Sequence, residues 1–120
     1  MERRAENNCP TAHKAPPAPY YAVIFSSTLS DNAEGYGEMA DRMVELAREQ
    51  EGFIDVESAS RTSEGFGITV SYWRDLESIR RWKAQSEHAA AQKMGRDAFY
   101  KNYRLRIARV EREYGFDRGE

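Results

Sequence analysis

The chain has 120 residues, a formal net charge of -2 and a single cysteine. Its near-neutral balance offers no basic field for nucleic acid, and no apolar run reaches the ~18 residues of a membrane span. The N-terminus lacks the apolar region of a signal peptide and Cys9 has no disulfide partner, so the expected compartment is the cytoplasm.

Residues 1–19 hold all four prolines and no aromatic residue. Such a segment buries too little apolar surface to offset its ordering entropy, and it reads as a disordered tail. Cys9 and His13 lie in it, and two ligands alone do not specify a metal site. The folded domain is expected over residues 20–114, with a short tail at 115–120.

"YYAVIFSS", residues 20–27, is β-branched and aromatic and follows a proline, which reads as a strand. The pattern then switches to helical period. Tyr36, Met39, Ala40, Met43 and Ala47 recur at steps of three and four and form one apolar face, widened by Leu46. Asp31 and Glu34 have capping-box spacing, Glu38 and Arg42 can pair one turn apart, and Gly52 stands where a helix-ending glycine belongs.

"FIDVESASR", 53–61, and "FGITVSYW", 66–73, alternate as strands, and the "TSEG" between them makes a hairpin turn. The pleat puts Phe66, Ile68, Val70 and Tyr72 on one face of the third strand. Gly67, Thr69, Ser71 and Trp73 take the other, and small residues there allow a close approach to the sheet. Asp75 is a suitable N-cap for the helix "LESIRRWKAQ", with Leu76, Ile79 and Trp82 inward. Ser86 can cap a second helical piece that ends at Gly95, and residues 96–102 can add a further turn of helix. "YRLRIARVERE", 103–113, is the fourth strand. Its apolar phase shifts from Ile107 to Ala108 and Val110, which implies a bulge or burial on both faces.

The order β-α-β-β-α-β is that of the α+β ferredoxin-like fold, a four-stranded antiparallel sheet with helices on one face. Apolar residues occupy both faces of these strands, and the chain supplies no third layer. A second copy packed sheet to sheet is the simplest cover, so a homodimer through the sheet faces is expected.

"EGFIDVESAS", "GITVSYWRDLESIRRWKAQSEHAAAQ" and "YKNYRLRIARVERE" resemble the antibiotic biosynthesis monooxygenase family of dimeric α+β barrels, over roughly residues 20–114. The resemblance implies a barrel of two ferredoxin-like sheets and a pocket between sheet and helices in each subunit. It includes cofactor-independent monooxygenases acting on phenolic or quinone-like compounds. It also includes haem-degrading enzymes and proteins that handle signalling molecules. The haem degraders use an Asn on the first strand, a Trp on the second helix and a His beyond it. Trp82 matches the Trp, but Gln92 stands at the His position and Phe25 or Ser26 near the Asn. His88 lies one turn before Gln92, where a shifted ligand would fall.

The expected function is a cofactor-free oxygenase for a small aromatic or enolisable compound. The alternatives are a non-catalytic dimeric binding or stress-related module, and a haem-binding protein. Histidine is the side chain suited to proton transfer near neutral pH, so His88 is the candidate base. Trp82, Trp73, Tyr72, Ser71 and Tyr21 are candidate substrate-binding residues, since ligand sites are mostly apolar and aromatic. Ser27, Tyr100 and Tyr103 add polar tips. Arg80, Arg81, Arg104, Arg106 and Arg109 could clamp an acid but read better as solvated or inter-subunit charges. No spacing specifies a metal site, phosphate loop or paired-carboxylate centre, and neither a cofactor nor a membrane partner is expected.

Overall fold

The computed structural model describes residues 17–31, 33–93 and 99–119. The expected N-terminal tail, with Cys9 and His13, lies almost wholly outside them. The elements run β1 (Tyr20–Leu29), α1 (Tyr36–Arg48), β2 (Phe53–Arg61), a 3-10 turn (Thr62–Glu64), β3 (Phe66–Trp73), α2 (Leu76–Lys93) and β4 (Tyr100–Val110). The sheet order is β2-β3-β1-β4, and the pairs β2–β3, β3–β1 and β1–β4 are antiparallel. Each helix is therefore the crossover between two parallel strands that have one antiparallel strand between them. This is the expected ferredoxin-like plan.

Several local expectations need correction. β1 runs two residues further than expected, because Thr28 pairs with Phe66 and Asn102 and Leu29 pairs with Tyr100. The Asp31–Glu34 capping box does not form. α1 starts at Tyr36 from Gly35, which has φ 89 and no side chain to cap with; only glycine adopts that backbone without strain. Arg42 pairs with Glu45 at 3.1 Å rather than with Glu38.

Gly52 is not the left-handed helix end its position suggested. It is needed for proximity: a Cβ there would lie 2.4 Å from Ser78 Oγ at the start of α2. The Gly52 carbonyl accepts the Arg74 backbone N–H at 2.7 Å, so the exits of α1 and β3 are tied at the same corner. Asp75 does cap α2, accepting the Ser78 backbone N–H at 2.7 Å, and that bond holds its carboxyl below the usual range.

α2 is one helix of 18 residues, not two pieces. Ser86 lies inside it and caps nothing. β4 begins at Tyr100, where a turn of helix was expected, because Phe99 and Tyr100 bury their rings against α1. β4 also runs without a bulge at Ile107. Ile107 pairs with Val23 and Ala108 with Ala22 in unbroken register. Burial on both faces, the other option the sequence left open, is not seen either: Ile107 and Ala108 are exposed and Val110 is half-buried.

Two cores form on the helix side of the sheet. One joins Val23, Ala47, Trp73 and Ile79, with Tyr21, Phe53, Trp82 and Leu105 packed around it. The other joins Met39 and Phe99, with Tyr36, Met43 and Tyr100 around them. Among the described residues, no helix is long and apolar enough to cross a membrane.

Candidate functional site

Alternation along β3 decides which side chains enter the space under the helices. Trp73 is fully enclosed and its indole N–H donates to Ser71 Oγ at 2.8 Å. Two residues apart in a strand, the pair shares a face, so Ser71 satisfies a buried donor that would otherwise be orphaned. Trp82 descends from α2 onto Trp73, with ring centroids 5.2 Å apart, and its indole N–H donates to the Met43 carbonyl of α1 at 3.0 Å. That bond clasps the two helices together. Tyr21, opposite Trp73 in β1, packs at the edge of the same cluster.

At the other end, Phe25 lies 5.5 Å from Tyr100 and 5.6 Å from Tyr103, ring to ring. Tyr36 of α1 meets both Phe99 and Tyr100 edge-on. Beside this aromatic group, on the β2 side, the sheet carries small residues. Thr69 pairs with Phe25 and Ser58, and Gly67 with Ser27 and Ser60. Met43 links the two cores, packing on the second while its carbonyl holds Trp82 of the first. The sequence signal for this patch was the small-residue face of the third strand. The Phe99 end carried no signal, because its residues read as helix.

Tyr72 points the other way. Its hydroxyl donates to Glu57 at 2.6 Å, and its ring meets Tyr20 edge-on at 6.1 Å. Tyr20 in turn donates to Glu113. Burial, and then the bond to Glu113 with its charge, pushes the Tyr20 hydroxyl up to about 12. Burial and the Glu57 contact raise Tyr72 as well. Both hydroxyls are therefore held neutral as donors. The sequence reading did not find these tyrosine–carboxylate pairs, since nothing in the local pattern joins residues 20 and 113.

His88, the one histidine among the described residues, is exposed on α2. It follows Ile79, a buried inward residue, by nine positions. At about 100° per residue that is half a turn round, on the side away from the sheet. His88 is therefore not brought together with Trp73 and Trp82. A haem ligand shifted by one turn would have to face the sheet–helix space, and His88 does not. The side chain of Gln92 lies outside the described residues. Arg80 and Arg81 pair with Glu77 on the exposed flank of α2, and Arg109 pairs with Glu111. Among the described residues, no group of three or more His, Cys, Asp or Glu could hold a metal ion.

A sequence model for antibiotic biosynthesis monooxygenases matches residues 19–94. The uncharacterized protein YqjZ of Bacillus subtilis (strain 168) is 52% identical over 100 residues, spanning 83% of this chain and 87% of its own. The jasmonate monooxygenase of Pyricularia oryzae is 36% identical over 92 residues, 75% of this chain but only 43% of that protein's length. Among solved structures, PA3566 of Pseudomonas aeruginosa superimposes with a TM-score of 0.62 at 19% identity, over 83% of this chain and 100% of that one. SnoaB, a cofactor-independent oxygenase from Streptomyces nogalater, gives 0.59 at 16% identity, over 82% and 97%. At such identities the two structures show a shared fold.

Proposed function

The chain belongs to the antibiotic biosynthesis monooxygenase family, and we propose that it oxygenates a small aromatic or enolisable compound without a cofactor. What supports this reading is the patch of small residues on the helix side of the sheet, Ser27, Gly67 and Thr69, whose short side chains would leave a gap beside Phe25 and under Met43 and Trp82. A flat apolar ligand matches such a gap, because aromatic walls bury its faces while small floor residues leave room for it. The names of the jasmonate monooxygenase and of SnoaB point to the same class of chemistry.

The reaction can be balanced on an anthrone. Loss of a proton gives an electron-rich enolate, which passes electrons to dioxygen. The activated CH₂ carbon becomes a carbonyl, so one oxygen atom enters the product and the other leaves as water with the two hydrogens lost from carbon. The protein's part is to hold the ring for its encounter with dioxygen and to exclude bulk water from the reacting carbon. A second copy of the chain covers the open sheet face, where Phe66 and Ile68 are 41% and 38% exposed, and closes a barrel.

Oxygen uptake by purified protein with an anthrone or quinol tests the reading. Turnover above the buffer rate is expected. Tight binding of such compounds with no turnover would make the protein a binding module instead. His88→Ala separates two placements of the substrate. With the ring between sheet and helices, the variant keeps its turnover. Loss of turnover would return His88 to the role of base and move the reacting atoms to the outer side of α2.

A further inference from the structure

Among the described residues, Ser86 is the one with a buried side-chain oxygen that has no hydrogen-bond partner. The residue is 9% exposed. A serine within a helix can return its hydroxyl to the carbonyl one turn earlier, and Ser86 makes no such bond. A buried hydroxyl without a partner is costly to keep, and alanine would hold the same turn of helix without that cost.

We propose that Ser86 is a ligand-binding residue, whose hydroxyl bonds a carbonyl or hydroxyl oxygen on a neutral aromatic ring held between the helices and the sheet. Ser86 acts this way only if that space is the substrate site proposed above. Its helical phase supports the assignment. Ser86 follows Ile79 by seven positions, about 20° short of two full turns, so both lie on the sheet side of α2. Its height supports it too. α2 runs back along β3 from Leu76, and ten residues carry it ~15 Å. That equals roughly four or five strand residues back from Trp73, which sets Ser86 near the level of Thr69. The hydroxyl therefore sits past the Trp73–Trp82 contact, over the small residues of β3.

The lining sets the ligand class. Phe25, Ser27, Gly67, Thr69, Trp82 and Met43 carry no charge. A carboxylate or ammonium in that setting would be desolvated without a counter-charge, which is strongly unfavourable. A fully apolar ring would leave Ser86 as orphaned as before. A neutral ring with one oxygen substituent satisfies both conditions.

The test is calorimetric binding of 1-naphthol and of naphthalene to the full chain. Wild-type protein is expected to prefer 1-naphthol by about tenfold, the effect of one buried hydrogen bond. Ser86→Ala should abolish that preference, leave naphthalene affinity unchanged, and melt at the same or a higher temperature because the orphaned hydroxyl is gone. A naphthol preference that survives in Ser86→Ala overturns the proposal and leaves the site standing. Equal loss of both ligands in the variant makes Ser86 structural and also overturns it. If wild type binds neither probe, the site itself fails along with the role of Ser86.

Discussion

Trp73 and Tyr72 are neighbours in β3, yet Trp73 is fully enclosed under the helices while Tyr72 is half-buried on the open side. Both rings have a polar handle, and both handles are satisfied, Trp73 by Ser71 and Tyr72 by Glu57. The partners differ in kind. Under the helices the acceptor is a neutral hydroxyl, as a dry interior requires. On the open face it is a carboxylate, which needs water or a further polar partner nearby. Around Trp73 the helix side is thus packed and satisfied within one chain. The open side carries apolar surface framed by charged groups, the composition of an interface.

The largest test of this difference is to truncate each ring. Trp73→Ala should cost about 3–5 kcal/mol of stability, since it empties the centre of the first core and leaves Trp82 and Phe53 without their partner. Urea denaturation followed by circular dichroism measures it. A loss below about 1 kcal/mol would mean that the first core collapses into the space the ring leaves.

Ile68→Asp sharpens the other side. Ile68 lies on the open face opposite Ser26 and Ala59, so the fold should survive while a charge now blocks sheet-to-sheet packing. Light scattering should show a dimer's mass for the wild type and about half of it for the variant, with unchanged circular dichroism. A wild-type protein that already runs as a monomer would remove the second copy from the account.

The smallest effect is in pH. Tyr20 ionises at about 12 in the folded chain and near 10 when unfolded, and Tyr72 shifts in the same direction. For a folded pKa above the unfolded one, the stabilisation is complete below about pH 10 and is lost as the pH rises through the folded value. Denaturation midpoints should therefore fall on moving from about pH 9 to 11.5, and the double variant Tyr20→Phe, Tyr72→Phe should fall less steeply. Parallel slopes would show that the two hydroxyls do not carry the dependence.

Most of the fold was legible in the chain, because period 2 and period 3.6 are local signals and the β-α-β-β-α-β order leaves few topologies. The split of Tyr72 from Trp73 and the inward face of Trp82 followed from the same periods. The errors cluster where long-range contacts overrule local ones. Phe99 and Tyr100 were read as helix and instead bury against α1. Ser86 was read as a cap because serine is a good one, but an unbroken α2 runs through it. Gly52 was read for its backbone freedom and is needed for the proximity of Ser78.

His88 marks the limit most clearly. Its side-chain chemistry makes it the natural base in the sequence, and its place in the "SEH" after Trp82 looked close to the aromatic pocket. Nine residues from Ile79 is half a turn round the helix, so nearness in sequence becomes separation in space. The sequence by itself determined the alternation of faces, the element order and the family, because these depend on neighbours along the chain. Only the tertiary structure decided which face of β3 the helices cover, how the two cores are placed and which buried hydroxyl among the described residues is left unpaired. Those outcomes depend on α1, α2 and β4 meeting the sheet at particular heights, and no local pattern encodes those heights.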